Sequence, residues 1–262
     1  PVSASAEERL TDKSCLNVED IVRFADTVDP ALLEPVLERQ IRYNSAIAEE
    51  GIRGGWGAEI GRILLEGANG DIQTEAKAYA AAGSDARMSG CEMPVVILSG
   101  SGNQGITASL PVIRYAKHLG ASREQLLRAL ALSDLITIHQ KTGIGRLSAY
   151  CGAISAGVGA GAGICYLQGG GYTAVAHTVV NAVAVLSGTI CDGAKPSCAA
   201  KIAAAVDAGI MGYRMYLHDR EFRRGEGIVS DSVDKTIRNV GILAQQGMLQ
   251  TDRTILEIMQ QK

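Results

Sequence analysis

Between Leu147 and Cys191 the chain runs for 45 residues without an Asp, Glu, Lys or Arg. A segment this long and this free of charge has to be buried, either in a bilayer or among other helices, since about 20 apolar residues already span a membrane. Its content decides between the two. "CGAISAGVGAGAGICYLQGGG" is mostly Ala, Gly and Ser, holds little of the Leu, Ile and Phe that drive insertion, and has no basic or aromatic belt on its flanks. The expectation is therefore two central helices, broken at Gly169 to Gly171 and buried on all sides by other helices. Their small side chains let neighbouring backbones come close.

The rest of the chain carries helical punctuation. "DPALLEPVLERQIRYNSAIAEEG" offers Asp29 as N-cap, Pro30 at the first helical position and Gly51 past the end. "RGGWGAEIGRILLEGANGD" reads as a glycine-rich bend into a short helix, and "DIQTEAKAYAAAGSDARM" as a further helical run. Ser122 and Gln125 stand at capping-box spacing, and the last third is helical again. Without an internal repeat or linker, the reading is all-α: a lead-in over residues 1–16 and one multi-helix domain over 17–262, built around the Ala/Gly-rich pair.

At 262 residues the chain buries a core large enough to need neither disulfides nor a structural metal. Scarce Phe and Trp favour close-packed helices. A net charge of −3 with scattered basic residues gives no field for a phosphate backbone, so no nucleic-acid partner is expected. The opening "PVSASAEERLTDKSC" lacks a signal pattern, which with the modest cysteine usage points to the cytoplasm; it also lacks an initiator Met, as a processed or excised piece would.

"PVVILSGSGNQGITASLPVIRYAKHLG" places Gly100, Gly102 and Gly105 in G-x-G-x-x-G spacing after a strand-like run. A dinucleotide site also needs a second strand ending in an acidic residue about 20 positions on. That position falls at Glu124, inside the helix capped by Ser122, so a nicotinamide-binding domain is the weakest reading of this segment. Keeping the physics without the cofactor, Ser99, Ser101, Asn103 and Gln104, with free backbone N–H groups, form a pocket for the carboxylate of a small amino-acid substrate. A third possibility is that the glycines only make a sharp entry into a helix.

Six cysteines occur, at 15, 91, 151, 165, 191 and 198. Cys191 and Cys198 bracket "DGAKPS", whose Gly and Pro make a turn that can aim both sulfurs at one point. Cys151 opens the first uncharged helix, and a helical hairpin out and back returns the chain to the same end. Each alone reads as a small buried hydrophobe; the three together suggest metal. The C-x₂₋₄-C knuckle of zinc is absent, whereas an iron–sulfur cluster accommodates wider spacing. Cys15, Cys91 and Cys165 read as structural. Asp192 and Lys195 lie in the turn, where local hydrogen bonding competes with a role at the cluster; His139 and Lys141 precede the central helices and could approach it. His118 and His177 read as ordinary helix residues, and "HDREFRRGEG" as a solvated turn.

"SGSGNQGI", "RLSAYCGAISAGVGAGAG", "SGTICDGAKPSCAAKI" and "GMLQTDRTILEIM" together resemble the iron–sulfur L-cysteine desulfidase family, the serine dehydratase-like alpha-chain proteins, in their C-terminal helical part from about residue 20 onward. The resemblance implies a 4Fe-4S cluster held by Cys151, Cys191 and Cys198. It also implies β-elimination of L-cysteine or L-serine to pyruvate and ammonia, with release of sulfide or water and with no pyridoxal group. Members usually carry an N-terminal domain with a Cys-Thr-Glu-Pro motif that supplies a substrate-facing thiol, and that tetrapeptide does not occur here. The alternative is thus a non-catalytic cluster-bearing or scaffold subunit that needs a separate or missing domain. Self-association as a homodimer is expected of so apolar a helical protein.

Overall fold

The computed structural model describes residues 11–145 and 148–261, and among them eleven α-helices and no strand. The lead-in falls partly outside these residues, as do Arg146 and Leu147. Helices α1 (Val18–Thr27), α2 (Pro30–Arg53), α3 (Ile60–Glu66) and α4 (Ile72–Met88) precede α5 (Gly102–Leu119) and α6 (Arg123–Ile144). The central pair is α7 (Gly152–Leu167) and α8 (Tyr172–Leu186), followed by α9 (Cys198–Leu217), α10 (Val233–Ile242) and α11 (Leu249–Gln260), with a π-helical turn at Leu243–Gly247 before the last. None is long and apolar enough to cross a membrane. The all-α reading of the sequence is the observed one.

Capping chemistry fixes the helix starts. Asp29 accepts the Ala31 N–H at 2.9 Å, with Pro30 at the first helical position. Ser122 and Gln125 exchange both bonds of a capping box. Gly51, expected to end α2, instead lies inside it, buried, and the helix runs on to Arg53. A Cβ at Gly51 would clash with the backbone carbonyl of Ala82. This glycine lets α2 and α4 touch rather than stopping a helix. The strand-like run before Gly100 forms no strand; Leu98 and Ser101 make only an isolated bridge.

Helix α7 is the axis of the molecule, buried without a break from Ala153 to Cys165. Its alternating glycines serve two neighbours. Gly157 and Gly161, four apart, lie against Ala205 and Gly209 of α9; Gly159 and Gly163 lie against Thr137 and Ala129 of α6. These pairings fix direction. Residue numbers rise together along α7 and α9, and likewise along α7 and α5, where Gly152 meets Gln104 and Gly163 meets Val112. Along α6 they fall. Helices α5, α7 and α9 are therefore parallel, with their N-termini at one end, where α6 finishes. Helix α8 departs from the expectation of burial on all sides: one face packs on α9, while Tyr172 and Val185 are 41% and 46% exposed.

Candidate functional site

The end where three helices begin is also where the candidate cysteines lie. Cys151 is the N-cap of α7 and Cys198 the first residue of α9. Cys191 joins them through a short antiparallel bridge between Tyr150 and Ile190, in which Cys151 N–H donates to Thr189 O at 3.0 Å and Cys191 N–H to Ala149 O at 2.5 Å. The bridge sets the two thiols side by side. Hydrogen bonding from Cys151 holds the Cys191 thiol below its ordinary pKa, and the same contact, with burial, holds Cys151 above. From Cys191 the chain turns at Gly193, in the left-handed region with φ 95°, and the Cys198 sulfur comes back to 3.7 Å from the Gly193 carbonyl.

Lys201, one turn into α9, lies close enough to Cys151, Cys191 and Cys198 to interact electrostatically with each. Burial works against its charge, but the hydrogen bond to Asp192 and the sulfurs outweigh it, so its pKa is raised. Asp192 Oδ1 takes the Lys201 ammonium at 2.6 Å, and its other oxygen pairs with Lys195. Local hydrogen bonding thus accounts for Asp192 and Lys195, whereas Lys201 is the residue that sequence reasoning missed. Its position three after Cys198, on the same face of the first turn of α9, was the available signal.

The candidate substrate residues meet this end from α5. Gln104 is buried with its amide against Gly152, the residue next to Cys151. Ser99 sits at a left-handed φ of 48°, and among the described residues its buried hydroxyl has no partner and Ser101, the N-cap of α5, makes no side-chain capping bond; Asn103 accepts from Arg87 Nη1 at 3.2 Å. Lys141, near the end of α6, faces Cys191 and Cys151. Burial lowers its pKa, against the pull of the sulfurs. His139 turns away and binds Asp234 Oδ1 at 2.7 Å. His177 pairs with Glu221 at the opposite end of the bundle. Glu124, where a ribose-binding acid would fall, pairs with Arg128 at 2.9 Å within its helix. The strand–helix–strand unit of a dinucleotide site is absent among the described residues.

Three helix N-termini with Lys141, Lys201 and Arg87 around them make an electropositive end, which favours thiolates and other anions. The cysteines step outward from Cys151, buried, through Cys198, half-buried, to Cys191, exposed, so a group bound by all three would be open to solvent on one side. Among the described residues no three His, Cys, Asp or Glu side chains close on a single-ion site. An iron–sulfur cluster takes its thiolates at wider separation, because several irons and sulfides lie between them. Sulfur-only donors in a positive, one-side-open setting fit that group.

The chain matches the model of the serine dehydratase alpha chain family over residues 6–257. It is 60% identical to a UPF0597 protein of Desulfitobacterium hafniense, over 95% of this chain and 58% of that protein. A UPF0597 protein of Lachnoclostridium phytofermentans is 53% identical over 97% of this chain and 61% of its own length. One from Treponema denticola is 46% identical over 97% and 60%. The chain spans about three fifths of the length of these curated relatives. No solved structure matches it.

Proposed function

The chain belongs to the serine dehydratase alpha chain family, and on that premise we propose that it is the cluster-binding part of an iron–sulfur β-elimination lyase acting on L-serine or L-cysteine. The observation that carries this reading is geometric: Cys151 and Cys191 flank the Tyr150–Ile190 bridge, and Cys198 opens α9 with its sulfur 3.7 Å from the Gly193 carbonyl, all at the end where α5, α7 and α9 begin. Those three thiolates would hold a 4Fe-4S cluster, which would supply Lewis-acid chemistry toward a carboxylate or leaving group.

The chain's own residues have three tasks in such a reaction. The free N–H groups at the start of α5, with Ser99, Ser101, Asn103 and Gln104, bind and orient an anionic substrate group. Lys201 and Lys141 set positive charge beside the cysteine sulfurs, which favours anionic ligands there. The tight glycine packing of α7 on α6 and α9 keeps the helix starts in register, so that the cysteines stay together. Overall the Cα proton is removed and the Cβ–O or Cβ–S bond breaks, releasing water or hydrogen sulfide; the resulting aminoacrylate takes up water to give pyruvate and ammonia. The relatives are longer than this chain, which favours the further reading that turnover requires an additional domain.

Anaerobic assay of the reconstituted chain, alone and with a separately produced N-terminal domain of the family, tests the chemistry. Pyruvate and ammonia in equal amounts from L-serine or L-cysteine are expected. A chain that carries its cluster and yields no pyruvate in either arm would be a cluster-bearing subunit and not a lyase.

A further inference from the structure

Among the described residues, α11 is the one helix that buries none of its own. Helix α10, only ten residues long, buries five, and α2, which exposes Leu32 and Val36, still buries six. The sequence of α11 is nonetheless patterned for burial. Leu249, Leu256 and Met259, at i, i+7 and i+10, share one face and are 52%, 52% and 49% exposed. The helix is held at three points: Met248, just before it, is buried, Ile255 packs on the main core, and Met259 reaches the candidate site. Met259 Cε lies 3.6 Å from where a Cβ on Gly193 would stand, in the turn between Cys191 and Cys198. An open space of about 210 Å³, bounded by Ile144, Ser148, Leu249 and Asp252, separates the start of α11 from the end of α6.

A helix of 12 residues is marginal in water by itself, and in a protein it is stabilised by packing its apolar face. The stripe on α11 lacks that packing here, which calls for a surface beyond the described residues. Three occupants can be told apart. A lipid surface attracts basic helices, whereas α11 carries Asp252 and Glu257 against Arg253. A stable dimer of two copies needs roughly 800 Å² per partner, and a helix about 18 Å long and 10 Å wide supplies a fraction of that. A domain in the same chain needs far less, because tethering holds it at an effective concentration in about the millimolar range. This chain spans about three fifths of its relatives' length, so a full-length protein has such a domain to offer. We propose that α11 is the docking helix for that further domain, its stripe of Leu249, Leu256 and Met259 seated in an apolar groove of the domain beside the Cys191–Cys198 turn. The proposal rests on the reading that turnover requires an additional domain, and not on the cluster.

Amide hydrogen exchange tests it, on this chain at low and high concentration and on the full-length Desulfitobacterium hafniense relative. Both are also measured with Leu249→Glu and Leu256→Glu combined, made at the matching positions of the relative. In this chain alone the amides of α11 should exchange roughly tenfold or more faster than those of α10, at either concentration. The double variant of this chain should melt with the parent, because both side chains face solvent. In the full-length relative the same helix should slow by roughly tenfold or more, and the double variant should restore fast exchange. Slow exchange of α11 in this chain alone, a double variant of this chain that melts lower, fast exchange in the full-length relative, or protection there that survives the double variant would each overturn the proposal. Slowing that appears only as this chain is concentrated would overturn it in favour of a second copy. Pyruvate from a full-length protein whose α11 exchanges fast sinks this proposal alone; a protected α11 in a protein that forms no pyruvate from L-serine or L-cysteine sinks the lyase reading alone.

Discussion

At the scale of single residues, two carboxylates should make the stability of this protein depend on pH in opposite directions. Asp234 accepts from His139 at 2.7 Å and from the Val18 N–H at 3.1 Å, tying α10 and α1 to α6. Desolvation pushes its pKa up, but the His139 hydrogen bond and the Val18 N–H outweigh it, so the folded value is lowered. A lowered folded pKa contributes stability that is present above the ordinary carboxylate range and lost as pH falls through the folded value. Asp234→Asn should therefore cost about 1 kcal/mol at pH 7 and progressively less in thermal melts below about pH 4. Asp134 behaves in reverse. Burial pushes its pKa up to about 7, only partly offset by the Gln40 amide at 3.0 Å. Its contribution is full below the ordinary carboxylate value and is lost as pH rises through about 7. Asp134→Asn should melt higher than the parent at pH 8 and the same as the parent at pH 4. Neither carboxylate stands out in the sequence, because each depends on residues from distant helices.

At the scale of elements, the glycines of α7 decide whether the helix starts come together. A Cβ at Gly161 would meet the Gly209 backbone of α9, which has no side chain able to move aside. Gly161→Ala should therefore destabilise the protein by about 2–3 kcal/mol, as overpacking of a tight core does. It should also loosen iron binding, because pushing α7 from α9 separates Cys151 from Cys198. Gly67→Ala, at a helix end with nothing within 4 Å, should stay within about 0.5 kcal/mol of the parent in urea unfolding. This scale is also where the sequence was most legible. The uncharged stretch announced its own burial, and Asp29, Pro30 and Ser122 marked helix starts, because burial and capping are local properties. Gly51 misled because a packing glycine and a terminating glycine look alike until the neighbouring helix is in place. The exposed face of α8 was hidden for a related reason: Tyr172 and Val185 lack charge, and lack of charge does not by itself bury a residue.

At the scale of the whole molecule, α7 touches α5, α6, α8 and α9, so no helix of the central group can leave without exposing it. Residues 17–262 are proposed to unfold as one unit. Differential scanning calorimetry should give a single transition whose calorimetric and van't Hoff enthalpies agree, and two resolved transitions would contradict this. The candidate site is a product of the same architecture. Its cysteines, 40 and 47 positions apart from the first, were open to suspicion from their turns and helix ends. The bridge between Tyr150 and Ile190, the parallel run of α5, α7 and α9, and the central place of Lys201 depend on tertiary pairing and could not be read in advance. The most direct measurement is an iron and acid-labile sulfide count on anaerobically reconstituted protein and on the Cys151→Ser, Cys191→Ser and Cys198→Ser variants. The parent should hold roughly four of each per chain, the content of one 4Fe-4S cluster, with a sharp loss in every variant. A parent that stays colourless, or variants that bind as much iron as the parent, would contradict the account.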